Sequence, residues 1–340
     1  MVPKTHGFRI PAEWMPHQRT FVSWPVKTSM RYPATYLRVC NGYAAFIRAI
    51  TEFEPVTVLV NMNDFGQAKN LCGIEQIDWL PVPHDDSWIR DNGPTFLVDG
   101  QGGQAGVNWQ FNAWGGKYSP CDLDNALAPI LLDRYCIQQF DAPLVMEGGS
   151  VHADGEGTLL TTRECLLHPN RNPDLTREAI EAHLQNFLGV SRIVWLNRGL
   201  DGDETDGHVD NIACFVAPGK ILIQTCADQE DGNFRISQEN LAILRDVKDA
   251  RGRSFEILEV PQPPKRMGKD GRLTLSYLNF YFVNGGIILP VFGDEAVESD
   301  KEAKRILAEA CPDRRIRTID GMAIVTEGGN VHCATLQMPL

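Results

Sequence analysis

Long apolar runs are absent from this sequence. No segment contains the roughly 18 consecutive apolar residues that a membrane-spanning helix needs. Residues 1–20 also lack the apolar stretch of a secretory signal peptide. We therefore expect a cytoplasmic protein that has no membrane partner.

Positive charge is scarce as well. The chain has 32 lysines and arginines against 44 aspartates and glutamates, which gives a formal net charge of −12. Nucleic acids and anionic lipid surfaces select clusters of Lys and Arg, so neither is an expected partner. An acidic protein is compatible with a small cationic substrate, although many proteins are acidic for solubility alone. The composition leaves the oligomeric state open, a homo-oligomer included.

The cysteines and glycines form no metal or phosphate motif. There are nine cysteines, an odd number, and no two of them form a C-x-x-C pair. Scattered cysteines are typical of small buried side chains in a reducing compartment, and this pattern disfavours a structural zinc site. A glycine-rich phosphate-binding loop is also missing. We expect neither a metal nor a cofactor.

The chain does contain alternating strand-like and helix-like segments. Apolar residues make up 43% of it and charged residues 22%, which is ordinary for a folded protein. Runs of aliphatic and β-branched residues between turn signals predict strands at residues 56–60, 158–162, 192–197, 220–225 and 286–292. Apolar residues at helical spacing predict helices at residues 34–50, 174–188, 236–249 and 300–310.

This alternation predicts an α/β protein. No linker and no shift of composition divides the chain, so we expect one domain over residues 1–340. The charged segment 261–272, "PQPPKRMGKDGR", is typical of a long surface loop.

One hexapeptide pattern occurs twice. "EGGSVH" occupies residues 147–152 and "EGGNVH" occupies residues 327–332, where Cys333 follows directly. Widely spaced copies of a strand-rich unit suggest a radial, propeller-like arrangement in which equivalent turns face a common centre. The paired glycines fit such turns, because a crowded centre needs positive φ angles or close backbone approach.

Cys333 is a candidate nucleophile, although a lone cysteine is more often structural. If residues 331–335 form a strand, His332 and Cys333 point to opposite faces, and the base must come from elsewhere. The segment 201–215, "DGDETDGHVDNIACF", offers one. His208 and Asp210 are two residues apart there, so on an extended chain both side chains project to the same face.

A third cluster lies in "HDDSWIRDNGPTF" at residues 84–96. A surface group of ion pairs is the simplest interpretation. Two features favour a site instead: Trp88 is costly to expose, and Asp91 lies on a tight turn before an apolar run. Glu147, which opens the first hexapeptide, is a further candidate for a buried carboxylate.

Together these residues form a consistent chemical set: one thiol, one imidazole and several carboxylates. Such a set suits a flat cation whose central carbon is attacked. A guanidinium presents edges of N–H donors that carboxylates accept in pairs, and its face stays open to a thiolate.

The motifs resemble a known family in their order along the chain. "PAEWMPHQRTFVSWP", "DDSWIRDNGPTF", "NWQFNAWGGKY", "EGGSVHADGEGTLLTTRECLL", "DETDGHVDNIACFVAPG", "SYLNFYFVNGGIILPVFGD" and "GGNVHC" are similar to the signatures of the agmatine deiminases, in the guanidine-modifying (pentein) superfamily. The resemblance runs from about residue 10 to the C-terminus. It implies a five-bladed α/β propeller and cofactor-free hydrolysis of agmatine to N-carbamoylputrescine and ammonia, on a route to putrescine.

The resemblance also implies roles for single residues. Cys333 matches the nucleophile, His208 the acid/base, and Asp91 and Asp210 the pair that binds the guanidinium. Glu147 matches a further active-site carboxylate. Residues expected to line the substrate pocket are Trp88, Asp86, Trp114 and Asn330.

Two departures from the family pattern leave alternatives open. Glu327 stands where the family usually has the first of three glycines, and Leu336-Gln337 stands where it often has two glutamines. Both lie near Cys333 and could mark another guanidine substrate. A deiminase of free or peptidyl arginine would need a cation for the substrate carboxylate, and Arg90 is only a weak candidate. An amidinotransferase, a non-catalytic guanidine-binding protein and a metal enzyme are further alternatives.

Overall fold

Five small β-sheets organise the molecule. The computed structural model describes residues 1–340 and has one sheet of four strands and four sheets of three. The strands are β1 (His17–Ser23), β2 (Val56–Val60), β3 (Ile77–Pro81), β4 (Thr95–Val98), β5 (Gln104–Gln110), β6 (Gln138–Val145), β7 (Val151–Ala153), β8 (Thr158–Thr162), β9 (Arg192–Leu196), β10 (Ala213–Ala217), β11 (Lys220–Thr225), β12 (Glu256–Pro261), β13 (Tyr281–Val283), β14 (Gly286–Val291), β15 (Arg315–Asp320) and β16 (Thr335–Pro339).

Helices connect the strands within and between the sheets. They are α1 (Tyr36–Thr51), α2 (Phe65–Cys72), α3 (Ile89–Asn92), α4 (Ala113–Gly116), α5 (Asp122–Asn125), α6 (Leu127–Arg134), α7 (Arg163–Leu166), α8 (Arg177–Leu188), α9 (Gly232–Asp246) and α10 (Val297–Ala310). No helix is both long enough and apolar enough to cross a membrane.

The five sheets repeat one unit. In the sheet β4-β5-β6 the first pair is antiparallel and the second is parallel, and α6 lies between the two parallel strands in sequence. The sheets β7-β8-β9, β10-β11-β12 and β13-β14-β15 have the same pattern with α8, α9 and α10. A helix is needed at this point because parallel neighbours require a long crossover. The predicted five-unit α/β propeller is confirmed.

The first sheet joins the two ends of the chain. Its strand order is β16-β1-β2-β3, and β16 pairs antiparallel with β1, with Val22 opposite Thr335. The C-terminal strand therefore completes the sheet that the N-terminal segment begins. This pairing holds Cys333, two residues before β16, against the rest of the molecule.

Most predicted elements agree with the structure. The segments 56–60, 158–162 and 220–225 are strands with those bounds, and the strands predicted at 192–197 and 286–292 each end one residue earlier. The helix predicted at 174–188 begins later because the Thr176 hydroxyl accepts a hydrogen bond from the Ala179 amide, and it ends at Gly189 with φ 67°.

Two predictions about local structure were wrong in detail. The helix predicted at 236–249 spans Gly232–Asp246, because Asp231 caps it and its polar first turn carries no apolar signal. Residues 331–334 form turns, and the strand begins only at Thr335. The argument that His332 and Cys333 project to opposite faces of a strand therefore does not apply.

The apolar core lies between the helices and the sheets. Helix α1 shows the pattern: Tyr43, Ile47 and Ile50 are fully buried, whereas the apolar Leu37 is 58% exposed. The charged segment 262–272 contains no helix or strand apart from one isolated bridge between Met267 and Arg272. The packed sheets leave their connecting turns free to form a site.

Candidate active site

Three predicted site residues converge on one glycine, Gly149. Asp91 comes from α3, Gly149 from the turn Gly148–Ser150, and His208 and Asp210 from the segment just before β10. A Cβ atom on Gly149 would lie 2.7 Å from His208 Nδ1 and 2.9 Å from both Asp91 Oδ1 and Asp210 Oδ2. Only glycine fits here, so Gly149 of the first hexapeptide allows these side chains to lie close together.

Asp91 is held by two hydrogen bonds. Its Oδ1 accepts one from the Gly149 amide at 2.9 Å, and its Oδ2 accepts one from Trp114 Nε1 at 2.9 Å. Burial raises the pKa of the Asp91 carboxyl; the charge of His208 opposes this rise and that of Asp210 adds to it. The two hydrogen bonds fix the orientation of this carboxylate, and its raised pKa means that burial disfavours its charged form. A cation beside it would stabilise the charged form, which suits a group that receives a cation.

The tryptophan that holds Asp91 belongs to an unusual turn. In α4 the residues Ala113 and Trp114 have φ angles of 52° and 56°, and Gly115 and Gly116 also have positive φ. Side chains other than glycine rarely adopt this conformation, and strain of this kind collects at functional sites. Here it points the Trp114 indole at Asp91.

Asp210 and Cys333 are in direct contact. Asp210 Oδ2 lies 3.4 Å from Cys333 Sγ and 2.9 Å from His332 Nδ1. Asp210 Oδ1 is buried and accepts no hydrogen bond from the protein. Although burial disfavours ionisation, the hydrogen bond and charge of His332 hold the pKa of Asp210 below its ordinary value. An ionised carboxylate with one free oxygen therefore faces the thiol.

Asn279 positions the thiol. Its Nδ2 lies 3.1 Å from Cys333 Sγ, and its Oδ1 accepts hydrogen bonds from the amides of His332 and Cys333 at 3.1 and 3.4 Å. Burial raises the pKa of the Cys333 thiol well above its ordinary value, and the Asp210 and Asp91 carboxylates raise it further. Without a bound cationic substrate the sulfur is therefore a thiol.

His208 is fully buried between two carboxylates. Its Nδ1 lies 3.8 Å from Asp91 Oδ1 and its Nε2 lies 3.7 Å from Glu147 Oε2, and neither nitrogen hydrogen-bonds to the protein. Burial lowers its pKa, but the facing acidic groups, Asp91 first, raise it well above the ordinary histidine value. His208 is therefore a protonated imidazole that can give up a proton within the site.

Glu147 is the anchor behind His208. Its Oε1 accepts a hydrogen bond from Arg171 Nε at 2.6 Å, and both side chains are fully buried. Burial raises the pKa of Glu147, but His208 and the Arg171 guanidinium lower it below its usual value. Glu147 therefore stays ionised and favours the protonated form of His208.

A cavity of about 520 Å³, including its open mouth, leads to Cys333. Three of the four residues predicted to line the pocket do so: Asp86, Trp88 and Trp114. Asn330 does not. It is buried behind the wall, where its Nδ2 donates to the Gly321 carbonyl and its Oδ1 accepts from the Val331 amide.

Gly329 of the second hexapeptide allows the cavity wall to lie close to Cys333. A Cβ atom on Gly329 would lie 2.7 Å from the Trp88 ring and 3.0 Å from Cys333 Cβ. Any larger residue would separate the two. The Trp88 ring and Cys333 therefore lie side by side on the wall of the cavity.

The outer part of the cavity is acidic. Asp86, Glu204 and Glu327 line it together with one cation, Arg31. Arg31 forms an ion pair with Glu204, so that cation is already neutralised. Glu327 accepts hydrogen bonds only from neutral donors, the Arg31 amide at 2.8 Å and the Thr35 hydroxyl at 3.1 Å. Burial raises the pKa of Asp86 to about 7.

The two departures from the family pattern differ in their position relative to the cavity. Glu327 lines the cavity, whereas Leu336 and Gln337 lie in β16 and do not. Arg90 is not a receptor for a substrate carboxylate, because it is buried outside the cavity and donates to the His332 carbonyl and to Glu13. Of the departures from the family pattern, only Glu327 is therefore placed to touch a substrate.

Several site residues were not predicted. Arg171 and Asn279 are single polar residues inside otherwise ordinary segments, and Glu13 lies in the motif "PAEW" more than 300 positions before its partner His332. In this group only the histidine had a recognisable sequence signal, because it ends both hexapeptides and so marks equivalent turns of the propeller.

Two buried groups have a composition that suits a metal ion: Glu13 with His152 and His332, and Glu147 with Cys165 and His208. In each, a guanidinium lies against the carboxylate: Arg90 on Glu13 and Arg171 on Glu147. These cations already supply the positive charge that a metal would bring. The groups fit ion-pair networks better than metal sites.

A five-unit α/β propeller with a buried cysteine, a histidine and paired carboxylates at one cavity defines the guanidine-modifying class. The family model described as Porphyromonas-type peptidyl-arginine deiminase matches residues 9–339. The agmatine deiminase of Stutzerimonas stutzeri is 42% identical over 360 residues, covering 99% of this chain and 97% of that protein. The agmatine deiminase of Pseudomonas aeruginosa is 40% identical over 364 residues, with the same coverage.

A solved structure agrees with these sequence matches. The agmatine deiminase of Enterococcus faecalis has a TM-score of 0.94 and 33% identity, and the match covers 99% of this chain and 97% of that one. The chain belongs to the Porphyromonas-type peptidyl-arginine deiminase family, together with these agmatine deiminases. The resemblance inferred from the motifs is confirmed.

Proposed function

We propose that the protein is an agmatine deiminase, which hydrolyses agmatine to N-carbamoylputrescine and ammonia and so leads towards putrescine. One observation carries the proposal: the Asp91 and Asp210 carboxylates are buried together around Gly149, and Asp210 touches the Cys333 sulfur. Because its residues come from several sheets, we further propose that residues 1–340 act as one domain. The named relatives support the reaction.

Asp91 and Asp210 are proposed to receive the guanidinium. Asp210 Oδ1 has no donor from the protein, so a guanidinium N–H would satisfy it. Asp91 is fixed by Gly149 and Trp114, so its charge is already oriented when the substrate arrives. The two carboxylates align the cation edge-on and leave its central carbon facing Cys333.

The bound cation is also proposed to activate the thiol. The pKa of Cys333 is high because of burial and the two carboxylates. A guanidinium neutralises those carboxylates and adds a positive charge beside the sulfur, which lowers the thiol pKa. The nucleophile is thus formed only when a substrate is present.

The reaction then has two halves. The Cys333 thiolate adds to the guanidinium carbon, His208 gives its proton to one terminal nitrogen, and ammonia leaves with the C–N electron pair. The product of this half is an S-alkylthiouronium on Cys333. Water then gives one proton to His208 and adds to the same carbon as a hydroxyl group. The C–S bond breaks with its electron pair going to sulfur, and the hydroxyl proton passes to that sulfur, which releases N-carbamoylputrescine and restores the resting thiol. Glu147 holds His208 throughout.

The charge of the outer cavity favours an amine over an amino acid at the distal end. Arginine would bring a carboxylate beside Asp86, Glu204 and Glu327, and the one cation there, Arg31, is paired with Glu204. Agmatine brings an ammonium instead. We place that ammonium against Glu327 and Asp86, whose protein partners are all neutral donors.

Cys333→Ala tests the chemistry. The variant should release no ammonia from agmatine and should keep the thermal unfolding midpoint within a few degrees of the wild type. Cys214→Ala, also buried but in β10, is the matched control and should stay active. During wild-type turnover, acid quenching and intact-mass analysis should detect the thiouronium adduct. An active Cys333→Ala enzyme would refute the mechanism.

A further inference from the structure

The histidines of the two hexapeptides meet at one glutamate. His332 Nε2 lies 3.0 Å from both carboxylate oxygens of Glu13, and His152 Nε2 lies 3.5 Å from Glu13 Oε2. All three residues are buried, and the two rings stack with centroids 6.3 Å apart. The reaction described above does not use Glu13.

The two histidines differ in protonation. His152 Nδ1 accepts a hydrogen bond from the Phe215 amide at 3.3 Å, so the proton of a neutral ring is on Nε2, facing Glu13. His332 has a carboxylate at each ring nitrogen, Asp210 at Nδ1 and Glu13 at Nε2. Both of its nitrogens must carry a proton to donate, which makes His332 an imidazolium.

Charge supports this assignment. Burial lowers the pKa of His332 and Arg90 adds to this, but Glu13 and Asp210 together raise the pKa above the ordinary histidine value. Arg90 contributes the second cation of the group, with its Nη1 3.4 Å from Glu13 Oε1. Two carboxylates and two cations therefore balance within this buried group.

The chain of contacts ends at the reacting atoms. Glu13 holds His332, His332 holds Asp210 Oδ2, and the same oxygen touches Cys333 Sγ. This arrangement turns the other oxygen of Asp210 away from His332, and that oxygen is the one without a donor.

We propose that Glu13 is a positioning residue: acting through a doubly protonated His332, it orients the Asp210 carboxylate that receives the guanidinium beside Cys333. This inference rests on the proposed function. Without the Glu13 charge, His332 loses one of the two carboxylates that keep it protonated. It then becomes neutral as the pH rises through the ordinary histidine range, about 6.5.

Glu13→Gln tests the proposal because it keeps the size of the side chain and removes only the charge. We expect kcat/KM for agmatine to fall about tenfold at pH 8, mainly through a higher KM, because Asp210 acts on bound substrate. The groups that face His332 are Glu13, Asp210, Arg90, His152 and Cys333. Since Glu13 alone is changed, the defect should shrink below pH 6, where His332 regains its second proton.

His152→Gln is the matched control. It alters the same buried group but does not reach Asp210, so it should keep the wild-type pH profile even if it unfolds at a lower temperature. Glu13→Asp retains the charge at a greater distance and should recover part of the lost kcat/KM. A purely structural role would lower the stability of Glu13→Gln without changing the shape of its pH profile.

A second measurement does not depend on the substrate. Histidine ring ¹⁵N chemical shifts, assigned with a His332→Gln sample, should show both His332 nitrogens protonated at pH 7.5 in the wild type. In Glu13→Gln they should show a neutral ring. A neutral His332 in the wild type would overturn the proposal, as would a Glu13→Gln enzyme with an unchanged pH profile. If the wild type does not act on agmatine, the proposed function fails, and the ring shifts still decide the role of Glu13.

Discussion

At the scale of single residues, the Cys333 thiol is held in its unreactive form until a cation arrives. Burial and two carboxylates raise its pKa, so the empty site protects the nucleophile from other electrophiles and oxidants. In the proposed mechanism the same carboxylates then attract the guanidinium, whose charge reverses their effect on the thiol pKa. Substrate binding and thiol activation would then be one event.

This account predicts the pH dependence of alkylation by iodoacetamide. Since the thiol pKa is raised, thiolate is scarce at neutral pH, and the rate at Cys333 should rise only above the ordinary cysteine range of about 8.5. Asp91→Asn removes one like charge and should shift the curve to lower pH. Peptide mapping after timed alkylation measures both curves. Fast alkylation of the wild type at pH 7 would contradict the assignment.

A second prediction concerns Glu327 and Asp86, which we propose bind the distal ammonium of agmatine. Glu327→Gln should raise KM for agmatine about tenfold and leave kcat within about threefold, because the contact is equal in ground and transition states. Butylguanidine, which lacks the ammonium, is the control substrate and should show no change in KM. Steady-state ammonia assays with both substrates measure the difference. An equal effect on both would place the ammonium elsewhere.

The sequence revealed these residues unequally. Four residues lie in motifs whose chemical role can be inferred from the sequence, and the structure brings them together: Cys333, His208, Asp91 and Asp210. Asn330 was wrongly placed in the pocket, because a residue three positions before the nucleophile points into the core when residues 331–334 turn. Contacts between distant segments, such as Glu13 with His332, leave no local pattern.

At the scale of elements, turns between strands carry the site and buried ion pairs fix the turns. Arg171 shows this: it joins Glu147 to Asp206, and it donates to the Thr205 carbonyl. It therefore connects the turn of the first hexapeptide to the segment that leads to His208. Removing it leaves the buried Glu147 carboxylate without the guanidinium that hydrogen-bonds to it.

Arg171→Gln should therefore be strongly destabilising. Breaking a buried pair from one side costs roughly 3–5 kcal/mol, and urea unfolding measures the loss. Arg235→Gln is the control, because Arg235 pairs with Glu239 on the exposed face of α9, where a pair contributes about 1 kcal/mol or less. A small loss for Arg171→Gln would show that Glu147 is held by other contacts.

Element boundaries were predictable where local signals are strong. Thr176 and Gly189 delimit α8 as cap residues should, and the aliphatic strands match almost residue for residue. The left-handed turn at Ala113–Gly116 was not predictable, because Ala and Trp have no preference for positive φ. In that conformation the Trp114 indole donates a hydrogen bond to Asp91, a contact between distant segments that the local sequence does not reveal.

At the scale of the whole molecule, the strand that closes the propeller ring also holds the segment that contains Cys333. β16 pairs with β1 and completes the first sheet, and Cys333 lies two residues before it. The first sheet also contains β3, and the segment that follows β3 contains Trp88 and Asp91. The repeated unit was visible in the sequence as two hexapeptides, but the pairing that closes the ring was not.

Deleting residues 335–340 tests this link. The truncated chain keeps every proposed catalytic residue but exposes the edge of β1, where Thr20, Phe21 and Val22 face β16. We expect loss of cooperative thermal unfolding, measured by calorimetry, together with loss of activity. Deleting only Leu340, which is 69% exposed, is the control and should have little effect. A stable truncated protein would show that the ring does not need this strand.

The most direct test of the central claim is ammonia release by the purified protein with agmatine and, in parallel, with arginine, with the ureido product identified by mass. The account predicts N-carbamoylputrescine and one equivalent of ammonia from agmatine, with no added amine or cofactor, and little or no release from arginine. Release from arginine alone would contradict the proposed acidic distal site. Release from neither would contradict agmatine deiminase activity itself.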